Sequence, residues 1–445
     1  MEDRISGITT QQNSGATAVT ILSGGTYEPF GPLTGFNFGN GVTLAQGYDQ
    51  DYELTSIDAA AGSTAIQNLV YGYDPSGNIL SITDNLNASL TQGFQYENLN
   101  RLWTASGPYG SQTYTYDGVG NRATVTLAGV TYTYTPSMTS NQIVSISGGG
   151  NTRSFTYFAT GQTKTDQRTP TSKYSYTADG VGRLSGASLN NSSIASYTHN
   201  GFEQRVGKTV GSTVTDLIYD RAGHLLAEAN DSTGTMIREY IWMDDKPVAM
   251  VDDTGTNPVI YYIHSDQVNR PQKLTDASAN IAWDGVFDPF GNVWSIAGSE
   301  TMLLMFPGQY YDSETQLSQN WHRDYDPTIG RYVQSDPIGL KGGINTYAYA
   351  ASDPIFHFDR SGLLPNPILG ELTKGLSDVL SSGICDWWPE ECVNHGLICI
   401  EAQCTSKCGQ VYYVYAWMPS DPSPDEVHSV DNNCHCIKTQ FNETE

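Results

Sequence analysis

The feature that most restricts what this chain can become is a tyrosine that returns every 18 to 23 positions: Tyr73, Tyr96, Tyr116, Tyr134, Tyr157, Tyr176, Tyr197, Tyr219 and Tyr240. A steady period of about 21 residues marks a repeat architecture, in which each unit buries its face against its neighbours. A unit of that length holds two strands and two turns. The clearest one is Tyr71-Gly72-Tyr73-Asp74-Pro75-Ser76-Gly77-Asn78-Ile79-Leu80-Ser81-Ile82-Thr83-Asp84. An alternating strand enters, Asp74 to Asn78 turn the chain, and a second strand leaves, with glycine and asparagine supplying positive φ. Tyr116-Asp117-Gly118-Val119-Gly120-Asn121 and Tyr219-Asp220-Arg221-Ala222-Gly223-His224 repeat the pattern. In Tyr176-Thr177-Ala178-Asp179 the aspartate is displaced, and Tyr134-Thr135-Pro136 retains little beyond its ring.

Composition supports one long array over two or three ordinary domains, either of which 445 residues would allow. Glycine (45) and tyrosine (28) exceed lysine and arginine together (22), a balance suited to strands and turns. The net charge of −25 would repel phosphate backbones, and no basic patch offsets it, so a nucleic-acid partner is disfavoured. No apolar run approaches the roughly 20 residues that cross a bilayer, so no membrane span is expected. The opening MEDRISGITT lacks the basic-then-apolar layout of a cleaved signal, so export would need another route.

Cysteine use splits the chain. All seven, Cys385, Cys392, Cys399, Cys404, Cys408, Cys434 and Cys436, lie in the last quarter, which points to a separate module over residues 364–445. Leu364-Pro365-Asn366-Pro367 reads as a linker, Ile368 to Leu380 as a short amphipathic helix, and Val411 to Trp417 as a strand, giving a small α+β or irregular module. Disulfides are the commoner fate of such cysteines in an exported module, with one thiol left over. Cys404, Cys408, Cys434 and Cys436 could instead ligate zinc, although their spacings are not those of common zinc knuckles. A thiol nucleophile paired with His395, His428 or His435 has no motif behind it. The repeats themselves call for no cofactor.

Between the two parts, Phe306 to Leu363 concentrates turn chemistry and aromatics. Asp326-Pro327, Asp336-Pro337 and Asp353-Pro354 preset turns among Tyr310, Tyr311, Trp321, Tyr325, Tyr332, Tyr347 and Tyr349, so short strands folded back on one another are expected.

These residues carry a resemblance. Phe306-Pro307-Gly308-Gln309-Tyr310-Tyr311-Asp312, Tyr325-Asp326-Pro327, Gly330-Arg331-Tyr332 and Ser335-Asp336-Pro337-Ile338-Gly339-Leu340 follow in order. Asn345-Thr346-Tyr347-Ala348-Tyr349 and Asp359-Arg360-Ser361-Gly362-Leu363 complete the series. Together they resemble the core-associated segment of bacterial Rhs proteins, relatives of the toxin-complex C proteins and of teneurins. The tyrosine-aspartate units resemble that family's repeats, and Tyr262-Ile263-His264-Ser265-Asp266 its Tyr-His-Ser/Thr-Asp motif, where His264 and Asp266 would serve a turn. The implied fold is all-β: hairpins spiral into a hollow shell, open if the repeats are too few. The implied division is an unassigned segment 1–35, a shell over 36–305, a core over 306–363 and a toxin module over 364–445.

The resemblance also implies an autoproteolytic aspartyl centre made of Asp336, Asp359 and Arg323, which would cut between Leu363 and Leu364. Two carboxyls held close share a proton, so one can act as base toward water and the other as acid. An arginine beside them would keep one charged or polarise the scissile carbonyl. On the residues alone the same aspartates read as turn caps, with Arg323 in a surface ion pair; the intact motifs and a cut that falls at the module boundary favour the protease reading. Arg360 stands where the family usually has proline, a departure that bears on cutting. By the same resemblance, a cognate immunity protein for the tail, a secretion-machinery adaptor and a secreted or cell-surface destination are expected, with type VI-like delivery as one route. The alternative from another class is a structural or adhesive surface protein with an inert, disulfide-stapled tail.

Overall fold

The turn Asp74 to Asn78 shows how one repeat is built. Asp74 Oδ1 accepts the backbone N–H of Ser76 at 2.8 Å and of Asn78 at 3.0 Å. Gly77, at φ 81°, occupies the left-handed region that a Cβ penalises. The Asn78 side-chain amide donates to Asp74 Oδ2 at 2.8 Å and to Asn100 Oδ1 in the next turn at 3.2 Å. Asp117 and Asn121 repeat these bonds, with Asn121 reaching Asn141 at 3.1 Å. Adjacent turns are thereby tied side by side.

In the repeats from Tyr73 to Trp242, the residue before the turn sits at a break in strand register and in most of them reaches back to the previous repeat. Tyr73 donates its hydroxyl to the Leu54 carbonyl at 2.8 Å, Tyr96 to Ile79 at 2.8 Å, Tyr116 to Leu102 at 2.9 Å and Tyr157 to Ile143 at 2.9 Å. Trp242 does the same with its indole N–H to Leu225 at 2.9 Å. Phenylalanine would fill the space but leave the carbonyl without its donor.

The computed structural model describes residues 4–367 apart from 12–14, 30 and 256, and beyond them only five strands: Ile384–Trp387, Cys399–Thr405, Val411–Trp417, His428–Val430 and Cys436–Lys438. Its register corrects the tyrosine period. The breaks fall at Tyr73, Tyr96, Tyr116, Pro136, Tyr157, Ala178, His199, Tyr219 and Trp242, spaced by 20 to 23 residues. Tyr134, Tyr176, Tyr197 and Tyr240 stand two residues upstream, at the buried positions that Tyr71, Phe94, Tyr114 and Phe155 fill elsewhere. The sequence period therefore merged two registers of one strand face. Asp179 is not displaced either: it follows Ala178 directly, and its Oδ1 accepts the N–H of Val181 and Arg183, each at 3.0 Å.

The hairpins join into one 27-stranded antiparallel sheet, from Gly7–Thr10 to Val293–Gly298, in which each strand pairs with its neighbours in sequence. Gly7–Thr10 and Val19–Tyr27, within the segment the sequence left unassigned, already belong to it. Among the described residues no pairing joins its first and last strands, so the ribbon is open. Side chains nevertheless bring its early and late parts together. Asn40 Nδ2 donates to Thr275 Oγ1 at 3.0 Å and to the Asp276 carbonyl at 2.8 Å, and the Phe38 ring meets Tyr262 and His264 edge-on. His264, buried and 2.9 Å from Thr275 Oγ1, belongs to this closure, and Asp266 caps its own turn through Val268 and Arg270 N–H.

Residues 309–332 form a smaller four-stranded antiparallel sheet: Gln309–Asp312, Leu317–Asn320, Arg323–Asp326 and Arg331–Tyr332. This plug is moored to the ribbon along its length. Arg205 Nη1 lies 2.5 Å from Asp312 Oδ2, and Arg153 Nη2 lies 2.5 Å from Asp326 Oδ2. Arg122 donates to the Ile329 carbonyl at 2.8 Å, Asn345 to Asn121 Oδ1 at 3.0 Å, Tyr347 to the Gly161 carbonyl at 2.6 Å and Tyr325 to the Phe290 carbonyl at 2.7 Å. Desolvating these charges is costly, and each ion pair offsets that cost only while both partners are present. Phe306, Tyr325, Tyr332 and Tyr349 pack as a buried aromatic cluster inside the plug. The buried Asp324 carboxyl is met by Gln334 Nε2 at 2.6 Å, and burial pushes its pKa up to about 6.

The chain divides into two compact units, Met1–Ile368 and Leu369–Glu445. In the second, Val411–Trp417 is a strand as expected and pairs with Cys399–Thr405. The helix expected over 368–380, and the side chains of all seven cysteines with their disulfide or zinc alternatives, lie outside the described residues.

Two measurements test this architecture. Tyr116→Phe removes one buried donor, so it should lower stability by about 1 kcal/mol. The loss should appear in denaturant titration and as faster hydrogen exchange around residues 102–116; unchanged exchange there would contradict the stitching role. Because the folded pKa of Asp324 is raised, its contribution is present in full below the unfolded value of 3.8 and is lost as pH rises through about 6. Asp324→Asn should therefore gain stability relative to the parent across that window, by up to roughly 3 kcal/mol, and a pH-independent difference would disprove it.

Candidate functional site

Arg323 opens the third strand of the plug, and strand alternation sends its side chain to the face opposite Asp324. The guanidinium stacks on the Tyr332 ring, Cζ to centroid 3.6 Å. Its Nη2 lies 3.1 Å from Asp336 Oδ2 and 3.1 Å from Asp359 Oδ2. Nη1 donates to the Thr346 carbonyl at 3.2 Å, and Nε donates to the Gly362 carbonyl. All three charged side chains are only 2–3% exposed, so the arginine is a buried bridge and the surface ion-pair alternative does not hold.

The two aspartates differ in surroundings. Asp336 does cap a turn, accepting Ile338 N–H at Oδ1 (3.0 Å), while its other oxygen faces Arg323. Asp359 is more heavily engaged. Its Oδ1 accepts the N–H of Leu363 at 3.0 Å and of Leu364 at 3.2 Å, and its Oδ2 accepts the Tyr332 hydroxyl at 2.9 Å as well as Arg323. The nitrogen of the Leu363-Leu364 peptide thus rests on one of the two carboxyls. Its carbonyl rests near the other: a Cβ on Gly342 would stand 2.3 Å from Asp336 Oδ2 and 3.0 Å from the Leu363 oxygen, so both atoms border the same small space. Burial raises the pKa of both aspartates, and Arg323 works against the rise at each.

Gly362, at φ 71°, could not carry a side chain, because a Cβ there would meet the Asn320 carbonyl at 2.4 Å. Arg360 points away from Arg323. Its Nη1 pairs with Asp245 Oδ1 and lies 3.3 Å from His224 Nε2. His224 itself sits between Asp220 (2.7 Å) and Asp245 (2.9 Å); burial opposes its protonation, but these carboxylates outweigh it and raise its pKa. His322 Nδ1 lies 2.8 Å from the Ser361 carbonyl. The loop 359–363 is therefore held from both sides by turns of the ribbon and the plug. Leu363 and Leu364 follow it, Leu364 half exposed at 50%.

Reasoning from sequence missed Tyr332, Asn320 and Gly342. Tyr332 stood in a recognisable motif, but nothing in its spacing said that its hydroxyl would meet a carboxylate 27 residues later. Asn320 donates both to that hydroxyl, at 2.7 Å, and to the Asp359 carbonyl, at 2.8 Å, and carried no sequence signal. No helix among the described residues is long and apolar enough to cross a membrane.

Comparison with known proteins shows what the chain as a whole is similar to. The chain is 26% identical over 336 residues to double-stranded DNA deaminase toxin A of Burkholderia cenocepacia, covering 67% of this chain and 22% of that one. It is 38% identical over 112 residues to toxin protein Tse5 of Pseudomonas aeruginosa, covering 25% and 8%. Among solved structures, the Tc holotoxin pore of Photorhabdus luminescens shares the fold with a TM-score of 0.65 at 20% identity, over 79% of this chain and 19% of that one. The chain thus spans about a fifth or less of the length of these proteins. The sequence model of the Teneurin YD-shell family matches residues 37–355, from the third strand of the ribbon through the plug, and the chain belongs to that family.

Proposed function

We propose that this chain is the shell element of a polymorphic toxin, and that its plug cuts the backbone after Leu363 to free residues 364–445 as an effector module. The observation that carries the reading is the placement of the Leu363-Leu364 peptide, with its nitrogen 3.2 Å from Asp359 Oδ1 and its carbonyl beside the space that Asp336 borders. Similarity to toxins of Burkholderia and Pseudomonas supports the toxin context.

In the proposed step a water attacks the Leu363 carbonyl carbon, and Asp336 takes its proton. The tetrahedral oxyanion is polarised by the Arg323 cation nearby. As the nitrogen pyramidalises its N–H leaves Asp359 Oδ1 and its lone pair turns there; Asp359, protonated in the reacting form, gives its proton to the Leu364 nitrogen as the C–N bond breaks, and the nitrogen leaves as an amine. The products are a carboxylic acid on Leu363 and a free amine on Leu364, the dyad's proton has moved from Asp359 to Asp336, and the step uses only water and the two carboxyls. Burial of both carboxyls favours the singly protonated pair that this chemistry needs. A cognate immunity protein, a secretion adaptor and delivery outside the producing cell follow as proposals from the toxin context.

Expression of the parent chain should yield fragments whose masses match residues 1–363 and 364–445, whereas Asp336→Asn and Asp359→Asn should each leave it whole. A parent that stays whole, or variants that cut as the parent does, would refute the reading and favour a purely structural surface protein. Since the pair must hold one proton and its carboxyls titrate above the ordinary carboxylate range, the cutting rate should fall as pH rises past them. A rate that climbs steadily with pH would show that a different group supplies the acid.

A further inference from the structure

We propose that Tyr332 and Asn320 form a positioning relay for this scission: Asn320 aims the Tyr332 hydroxyl proton at Asp359 Oδ2, which keeps Oδ1 of the same carboxyl turned toward the Leu364 nitrogen. The inference rests on the cleavage reading above.

The direction of the relay follows from what each group can donate. Asn320 Nδ2 lies 2.8 Å from the Asp359 backbone oxygen, which can only accept, so the amide presents its nitrogen there. The same nitrogen lies 2.7 Å from the Tyr332 oxygen, which must therefore accept from it. The phenol has one proton, and it is left to donate to Asp359 Oδ2 at 2.9 Å. Flipping the amide would set two oxygens against each other at the Asp359 carbonyl.

The phenol has no freedom to choose otherwise. Tyr332 is 1% exposed, with the Arg323 guanidinium on its face at 3.6 Å and the rings of Tyr325 and Tyr349 at 5.8 and 5.7 Å. With Tyr332 and Arg323 on Oδ2 and two backbone amides on Oδ1, the Asp359 carboxyl cannot rotate without losing several donors at once. The Tyr332 hydroxyl bonds to Asn320 and Asp359 and not to the Leu363-Leu364 peptide; it acts through Asp359.

Tyr332→Phe isolates the effect, since it keeps the ring and its contact with Arg323 and removes only the hydroxyl. Full-length chain made in a labelled pulse by cell-free translation, then moved into buffers from acid to alkaline pH, reports the rate of fragment formation. Loss of one hydrogen bond to a charged group should slow cutting about tenfold to a hundredfold. The hydroxyl favours the ionised carboxyl, so its removal should also carry the alkaline limb of the pH–rate profile to higher pH. Asn320→Asp, which offers the hydroxyl an acceptor and draws its proton away from Asp359, should move the limb the same way. If Tyr332→Phe cuts at the parent rate with the parent profile while Asp359→Asn stays whole, the relay is wrong and the cleavage reading stands. Slower cutting with an unmoved profile reports a loosened plug and equally overturns the relay. If Asp359→Asn itself cuts normally, the cleavage reading fails first.

Discussion

The side-chain bond to a carbonyl of the preceding repeat, made at five of the nine register breaks from Tyr73 to Trp242, is the interaction on which the rest of this molecule depends. A long antiparallel meander has no intrinsic reason to keep a constant curvature, because its hydrogen bonds join only neighbouring strands. Here the break puts one extra residue into the strand just after each turn, as Leu80, Trp103, Ala123 and Lys164 show, and breaks of this kind bend the sheet and increase its twist. Tyr73, Tyr96, Tyr116 and Tyr157 then fasten the bent strand to the preceding repeat, while Asn78 and Asn121 fasten turn to turn. Curvature is thus set one repeat at a time, and its sum brings Asn40 against Thr275, 235 residues away.

A curved ribbon makes a buried face available, and that face is what allows the plug to hold charge without water. Arg153 and Arg205 arrive from ribbon strands already aimed inward, and each finds a carboxylate on the plug. Arg323 repeats the arrangement inside the plug itself, with two carboxylates to one guanidinium. That surplus of negative charge in a dry place is unfavourable unless a proton is retained, which is the condition for acid–base work at a peptide bond.

Local chemistry was legible in the chain, and distant contact was not. The Asp-x-x-Gly-Asn turns close within five residues, so Asp74 and Asp117 could be read directly, and Asp336, Asp359 and Arg323 could be grouped because their motifs were intact. The two tyrosine registers could not be separated, because positions two apart share a strand face and both accept aromatics, which a period of about 21 cannot tell apart. The pairing of Arg205 with Asp312 spans 107 residues, and the meeting of Tyr332 with Asp359 needs the aromatic cluster of the plug to form first. Arg360 was read as a departure from the motif that Asp359 opens, and its side chain reaches out to Asp245 and His224.

The plug touches the ribbon at sites from Asn121 to Phe290, yet it is encoded after all of them. On a ribosome, hairpins emerge and pair in order, each needing only the one before it. The scaffold for Asp336 and Asp359 can assemble only once the final hairpins are out. The geometry around Leu363 is therefore a clock as well as a site: its two carboxyls come together only after synthesis has passed them.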